Sequence, residues 1–86
     1  MYFVYALVSK VDRRIYVGIS EDPSSRLVEH NSGKTQSTKG FVPWELFFTR
    51  AFATRIEARE YEKYYKSGSG KEKLKKILGA IVQRIE

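Results

Sequence analysis

Five side chains in this 86-residue chain are of types and at places that could do chemistry: Tyr5, Tyr16, Arg26, His30 and Glu62. A carboxylate can hold a hard divalent cation, and a guanidinium can neutralise phosphate oxygens. Phenols and an imidazole can position or move a proton. Glu62 falls at the i+4 position of a set formed by Ala58, Tyr61 and Tyr65, the core-facing spacing of a helix, so a carboxylate lies on or beside an apolar face. A buried charge there needs a cation or a metal. The plainer alternative is an i,i+4 ion pair with Lys66. Arg26 and His30 are also i,i+4, which sets both on one helix face, either as ordinary surface or as a pair aimed at a phosphate. Tyr5 and Tyr16 can be cross-strand packing partners or two phenols standing together, if the hairpin register sets them opposite one another. Gly18 would then leave room for something to approach the backbone.

Composition restricts the alternatives. The chain has no cysteine and one histidine, which excludes zinc ribbons, zinc fingers, thiol nucleophiles and redox pairs. Its net charge of +6 suits a polyanion such as nucleic acid or an anionic membrane surface. Six lysines and one glutamate stand between positions 63 and 76, and Lys34 and Lys39 sit in a Ser/Thr-rich stretch. These are solvated faces or a phosphate-contacting surface. The apolar run at 2–8 is too short for a membrane span or a signal-peptide core, so a soluble, cytoplasmic protein is expected.

The elements that must carry these residues are legible as periods. Tyr5 lies in an alternating run with Phe3 and Leu7 on one face and Tyr2, Val4, Ala6 and Val8 on the other, a strand buried on both sides. Tyr16 follows on a second strand whose apolar face is Ile15, Val17 and Ile19. Asp22-Pro23 opens a short helix, with Leu27 and Val28 as its core anchors and Gly33 as its stop. A polar loop over 34–43 leads to a third strand, with Trp44, Leu46, Phe48 and Phe52 expected on one side. Thr54-x-x-Glu57 and Ser69-x-x-Glu72 read as capping boxes opening two helices. Ser67-Gly68-Ser69-Gly70 is the break between them. Leu74, Ile77, Leu78, Ile81 and Ile85 form the apolar stripe of the last. The expected order is β-β-α-β-α-α, an α+β single domain over 1–86 with a small three-stranded, mainly antiparallel sheet flanked by helices.

The spaced set of motifs resembles the GIY-YIG nuclease superfamily, in particular its small stand-alone bacterial members. Phe3-Val4-Tyr5 and Tyr16-Val17-Gly18 stand where the paired naming motifs would. Arg26, His30-Asn31, Thr38-Lys39-Gly40, Pro43-Trp44, Ala58-x-x-x-Glu62-x-x-x-Lys66 and Ser67-Gly68-Ser69-Gly70 follow in order. The resemblance implies a DNA endonuclease that uses one divalent ion, Mg2+ or Mn2+; with little surface beyond the site, nonspecific or structure-selective action in DNA repair or processing is expected. It implies Glu62 as metal ligand, Arg26 as the group neutralising the phosphate, and Tyr16 positioning or activating water with Tyr5 and His30 assisting. Gly18, Asn31, Lys34, Thr38, Lys39 and Lys66 are the expected substrate contacts. The chain departs from the pattern at Phe3-Val4, at Pro23, and at Ile19, where repair endonucleases of this type carry a lysine. The competing readings are a nucleic-acid-binding module of the same fold with weak catalysis, and an RNA-binding or ribosome-associated domain.

Overall fold

A computed structural model of the protein describes the backbone of residues 1–85 and the side chains of 1–81. Strands β1 (Tyr2–Ser9) and β2 (Ile15–Ser20) form a hairpin, followed by helix α1 (Pro23–Asn31). A single 3-10 turn, Lys39–Phe41, leads to β3 (Trp44–Phe52), and helices α2 (Arg55–Lys66) and α3 (Gly68–Ile85) close the described chain. The sheet order is β2-β1-β3 with both pairings antiparallel, so the expected α+β architecture and element order hold.

The central strand is buried on both faces, as its alternation requires. Val4, Ala6 and Val17 join Phe52, Ala58, Tyr65 and Leu74 in one core, beneath α2 and α3. Tyr5, Leu7 and Trp44 form a second core on the opposite face, with Tyr16, Leu27 and Phe41 packed against it. The third strand serves both. Ala6 pairs with Phe48 but Leu7 pairs with Leu46, so Phe47 is an extra residue in β3. This bulge shifts the side-chain phase by one. Trp44 and Leu46 therefore pack on the α1 side, whereas Phe48 and Phe52 pack on the α2 side, not all four together as strict alternation predicts.

Helix α1 starts as its sequence signals, with the Asp22 carboxylate accepting from the Ser25 N–H at 3.3 Å and Pro23 in the first turn. Its inward face differs from the expected one. Val28 is 70% exposed, and the buried residue is His30, at 0%. The face that meets the sheet carries Leu27 and His30, so a polar ring fills the place assigned to an aliphatic side chain. On α2, Ala58 and Tyr65 are buried, but Tyr61 lies at the rim (37% exposed), stacked on Phe52 and covered by Arg50.

Thr54 caps α2, its Oγ1 accepting from Glu57 N–H at 3.2 Å and donating to the Glu57 carboxylate at 3.1 Å. The break after α2 is shorter than the Ser-Gly-Ser-Gly run suggests. Ser67 alone ends one helix and begins the next, accepting from Gly70 N–H through Oγ and from Lys71 N–H through its carbonyl. Helix α3 thus begins at Gly68, and Ser69 lies inside its first turn rather than capping it. Gly70 explains the glycine usage. A Cβ there would lie 2.0 Å from the Tyr64 carbonyl oxygen, so only glycine lets the two helices meet this closely. On the α3 stripe, Leu74 is fully buried, Ile77 and Leu78 are half-buried, and the Ile85 side chain lies outside the described residues.

Gly70 and Gly79 should therefore respond oppositely to alanine. Gly70→Ala forces backbone apart and is expected to cost roughly 1–3 kcal/mol, as overpacking does. Gly79 sits in the exposed helix, where an added methyl group would meet no atom within 4 Å. Gly79→Ala should add about 0.5–1 kcal/mol through helix propensity. Urea denaturation of the two variants measures both.

Candidate active site

The hairpin register is offset by one pair from the face-to-face arrangement of the two tyrosines. Tyr5 lies opposite Gly18, and Tyr16 lies opposite Leu7. Tyr5 and Tyr16 are therefore diagonal neighbours on the α1 face, with ring centroids 6.3 Å apart. The space over Gly18 is filled from within. A Cβ at position 18 would stand 2.6 Å from the Tyr5 hydroxyl oxygen, so the glycine houses the phenol and does not open the backbone to a ligand.

That phenol meets His30 from α1, with its oxygen 3.0 Å from Nε2. On the other side of the ring, Nδ1 lies 2.8 Å from Thr38 Oγ1. The donor order follows from the ends of this chain. Burial pushes the Tyr5 phenol above its ordinary range, more than the neighbouring Arg26 lowers it, so Tyr5 stays protonated and donates. The Thr38 hydroxyl points to the Thr35 carbonyl at 3.5 Å and accepts from Nδ1–H with a lone pair. His30 is then a neutral imidazole, accepting at Nε2 and donating at Nδ1. Burial, and secondly the charge of Arg26, pushes its pKa below the ordinary value of 6.5, against the smaller opposing effect of Glu29.

The elements around the imidazole are tied to one another by side-chain amides and the indole. Asn31 donates through Nδ2 to the Trp44 carbonyl at 3.0 Å and accepts at Oδ1 from the Trp44 N–H at 2.6 Å. Trp44 Nε1–H donates to the Thr38 carbonyl at 2.9 Å. Three of the expected substrate contacts make internal contacts: Gly18 lodges the Tyr5 ring, Thr38 is fully buried, and both ends of the Asn31 amide are engaged. Lys34, Lys39 and Lys66 all lie exposed toward solvent.

Tyr16 occupies the outer position. Its ring packs on His30 at 4.8 Å and edge-on to Trp44 at 6.3 Å, while the side chain is only half-buried. Its hydroxyl has no hydrogen-bond partner among the described residues, in contrast to Tyr5. Arg26 stands beside Tyr5, whose phenol raises the guanidinium pKa further, and forms an ion pair with Glu29. The Arg26–Glu29 pair lies outside the sequence reading, although its i,i+3 spacing announces it.

Glu62 is not joined to this group by any hydrogen bond, ion pair or ring contact among the described residues. It is on α2, which packs on the opposite face of the sheet. Its side chain is 17% exposed and pairs with Lys66 at 3.2 Å, so the i,i+4 pair expected as the plainer reading is present. No group of three His, Cys, Asp or Glu side chains among the described residues could cage a metal. A single carboxylate fits a hydrated Mg2+, which keeps several waters and takes further oxygens from a phosphate. No helix of the described residues is long and apolar enough to cross a membrane.

Residues 1–76 match the family model of the GIY-YIG catalytic domain, and the chain belongs to that family. It is 35% identical over 77 residues to a UPF0213 protein of Staphylococcus epidermidis, covering 88% of this chain and 93% of the relative. It is 37% identical over 67 residues to the structure-specific endonuclease subunit slx1 of Schizosaccharomyces japonicus. That alignment takes in 71% of this chain but only 24% of the relative. A 38% identical UPF0213 protein of Bacillus pumilus is matched over 72% of this chain and 64% of its own length. The solution structure of a UPF0213 protein from Bacillus halodurans superposes with a TM-score of 0.54 at 34% identity, covering 90% of this chain and 85% of the other.

Burial of His30 couples its charge to stability. The folded pKa lies below the unfolded one, so the unfolded state takes up the proton first as pH falls. The contribution is complete above about pH 6.5, the reference value for histidine, and is lost as pH falls below it. Urea denaturation from about pH 7.5 down to about pH 5.5 should show falling stability, and His30→Gln should flatten that slope. An equal slope in the variant would assign it elsewhere.

Proposed function

We propose that the protein is a divalent-metal-dependent endonuclease acting on DNA phosphodiester bonds, with Tyr16, Arg26 and Glu62 as the groups that touch substrate or metal. The observation that carries this reading is the division of labour within the cluster. Tyr5 and His30 are locked together in the interior, leaving the Tyr16 hydroxyl without a partner among the described residues and the Arg26 guanidinium part-exposed at the surface. The family match and the slx1 relative supply the reaction class.

Each group has a separate task. A phosphate arriving at Arg26 replaces Glu29 as its partner, and the guanidinium can then bind two phosphate oxygens through its planar fork. Arg26 stands beside the Tyr5 phenol, and so on the same face of the sheet as Tyr16. Tyr16 is suited to hold the attacking water, because its ring is fixed by His30 and Trp44 while its oxygen is uncommitted among the described residues. His30 and Tyr5 act as positioning residues: with both imidazole nitrogens bonded and the ring fully buried, His30 sets the geometry without meeting the substrate. Glu62 would hold one Mg2+ or Mn2+, which when bound supplies Lewis-acid stabilisation of the phosphate oxygens. Lys66, Lys34 and Lys39 offer positive charge to flanking phosphates. The phosphate would sit at the exposed edge of β2, where the α1 and α2 faces of the sheet border each other.

Structure-selective action in DNA repair or processing, in the cytoplasm, is the biological setting we assign to this chemistry. A second reading is a nucleic-acid-binding module with weak catalysis. It is favoured by the Glu62–Lys66 pair and by Ile19, which offers no cation beside Gly18.

Incubation with supercoiled plasmid and branched DNA plus Mg2+ or Mn2+ separates the two. Nicking is expected, with Glu62→Ala, Arg26→Ala and Tyr16→Phe each reducing it by about 100-fold or more, the scale of losing one transition-state contact. Cleavage that survives Glu62→Ala and Arg26→Ala would place the activity elsewhere. Salt-sensitive binding with no nicking on any substrate would establish the second reading.

A further inference from the structure

On the α2–α3 side of the sheet, at the start of β2, a depression of about 560 Å3 is lined by Arg13, Arg14, Ile15, Lys71, Lys75, Leu78 and Gly79. Its volume falls in the range of roughly 300–1,000 Å3 typical of small-molecule pockets. Ile15, Leu78 and the bare backbone of Gly79 make an apolar floor, and no atom lies within 4 Å of where a Gly79 Cβ would stand. Three cations, Arg13, Lys71 and Lys75, surround that floor.

Their arrangement is built rather than incidental. Lys71 is tethered across the fold, its ammonium donating to the Ile15 carbonyl at 2.9 Å. Burial, then the charges of Lys75 and Lys66, pushes its pKa down, so the ammonium sits among like charges. Arg14 turns its guanidinium away from this floor, over Phe41 of the α1-side core at 3.5 Å and paired with Asp12 at 2.7 Å. Arg13 occupies the turn with a φ of 66°, a left-handed conformation that disfavours arginine and fixes where its side chain leaves the backbone. Lys75 lies one turn beyond Lys71 on α3, 3.6 Å from Glu72 on the exposed surface. An apolar floor ringed by guanidinium and ammonium groups has the complementarity of a nucleotide: a base face for the floor and phosphates for the rim.

The geometry points to a binding subsite for one unpaired nucleotide of a DNA strand, at the start of the β2 edge. This rests on the nuclease reading and extends it. Ile15, in the floor, and Tyr16, the outer phenol, are consecutive residues on opposite faces of the same edge strand. A strand passing over the β2 edge meets both. The protein would then bind where duplex gives way to single strand, with the unpaired base in the depression and the adjoining phosphate near Tyr16 and Arg26.

Fluorescence anisotropy with a labelled oligothymidylate in EDTA tests the subsite without requiring cleavage. The double variant Arg13→Gln/Lys75→Gln should weaken binding by roughly tenfold at moderate salt and lower the salt slope by about 1.4, the value for two single-strand phosphate contacts. Arg59→Gln, in the separate cationic groove on α2, should leave both unchanged. Gly79→Phe fills the floor while keeping every charge, and should weaken the normal strand while sparing an abasic strand of equal length. The glutamine pair keeps the test decisive should Gly79→Phe fail to fold.

Unchanged affinity in the glutamine variant, or equal losses on normal and abasic strands with a folded Gly79→Phe, would overturn the subsite. Tighter binding of RNA of the same length, or competition by free thymidine monophosphate at micromolar concentration, would also overturn the DNA-strand assignment. Plasmid nicking that persists when the subsite is refuted leaves the nuclease reading standing, and base-dependent binding without nicking refutes only that reading.

Discussion

A neutral imidazole buried between a phenol and a hydroxyl is the interaction on which the α1 side of the molecule depends. His30 brings two polar nitrogens into the interior, and each left unpaired would cost roughly 1–3 kcal/mol. Both are satisfied, one by Tyr5 from the central strand and one by Thr38 from the loop. That requirement fixes the distance from α1 to the sheet and the path of residues 32–43 around it. The Asn31 amide and Trp44 indole then secure the same loop to the start of β3. A polar network of this kind rigidifies only when every member is paired, and no buried side-chain polar atom among the described residues lacks a partner.

The same network distinguishes two tyrosines that look alike in sequence. Tyr5 has its hydroxyl in the interior, its proton retained, and its ring lodged over Gly18. Tyr16 presents its hydroxyl outward from a ring held by aromatic neighbours. Positioning and contact are thus allotted to different residues. The exposed member of the pair can meet a substrate because the buried one fixes the wall behind it. Reorganisation cost on binding is small when the wall is already in place.

The fold was legible in the sequence because the strands and helices carry clean periods, and β1 is apolar on both faces for a reason the structure repeats: it is the central strand. Three features were not. The bulge at Phe47 carries no local signal, since an aromatic-rich strand reads as continuous alternation until its pairing partner is known. His30 displaced Val28 from the inward face because the pairing groups that make histidine buriable lie eight and 25 residues away. The α3 start moved back from Ser69 because Ser67 serves two helices at once. At the site, the residue types were readable and their availability was not. Gly18, Asn31 and Thr38 match a nuclease motif, but their contacts are internal, and only the tertiary structure reveals whether a polar side chain is already spoken for.

The bulge in β3 has a mechanical meaning. By changing phase at Phe47, one strand anchors Trp44 and Leu46 in the layer beneath α1 and Phe48 and Phe52 in the layer beneath α2. Neither layer can be pulled off the sheet without disturbing a strand that the other also grips. In a chain of this size, such sharing turns two thin half-cores into a single cooperative unit. Thermal or denaturant unfolding would then proceed as one event, with the phenol–imidazole wall and the helix that carries Glu62 lost together.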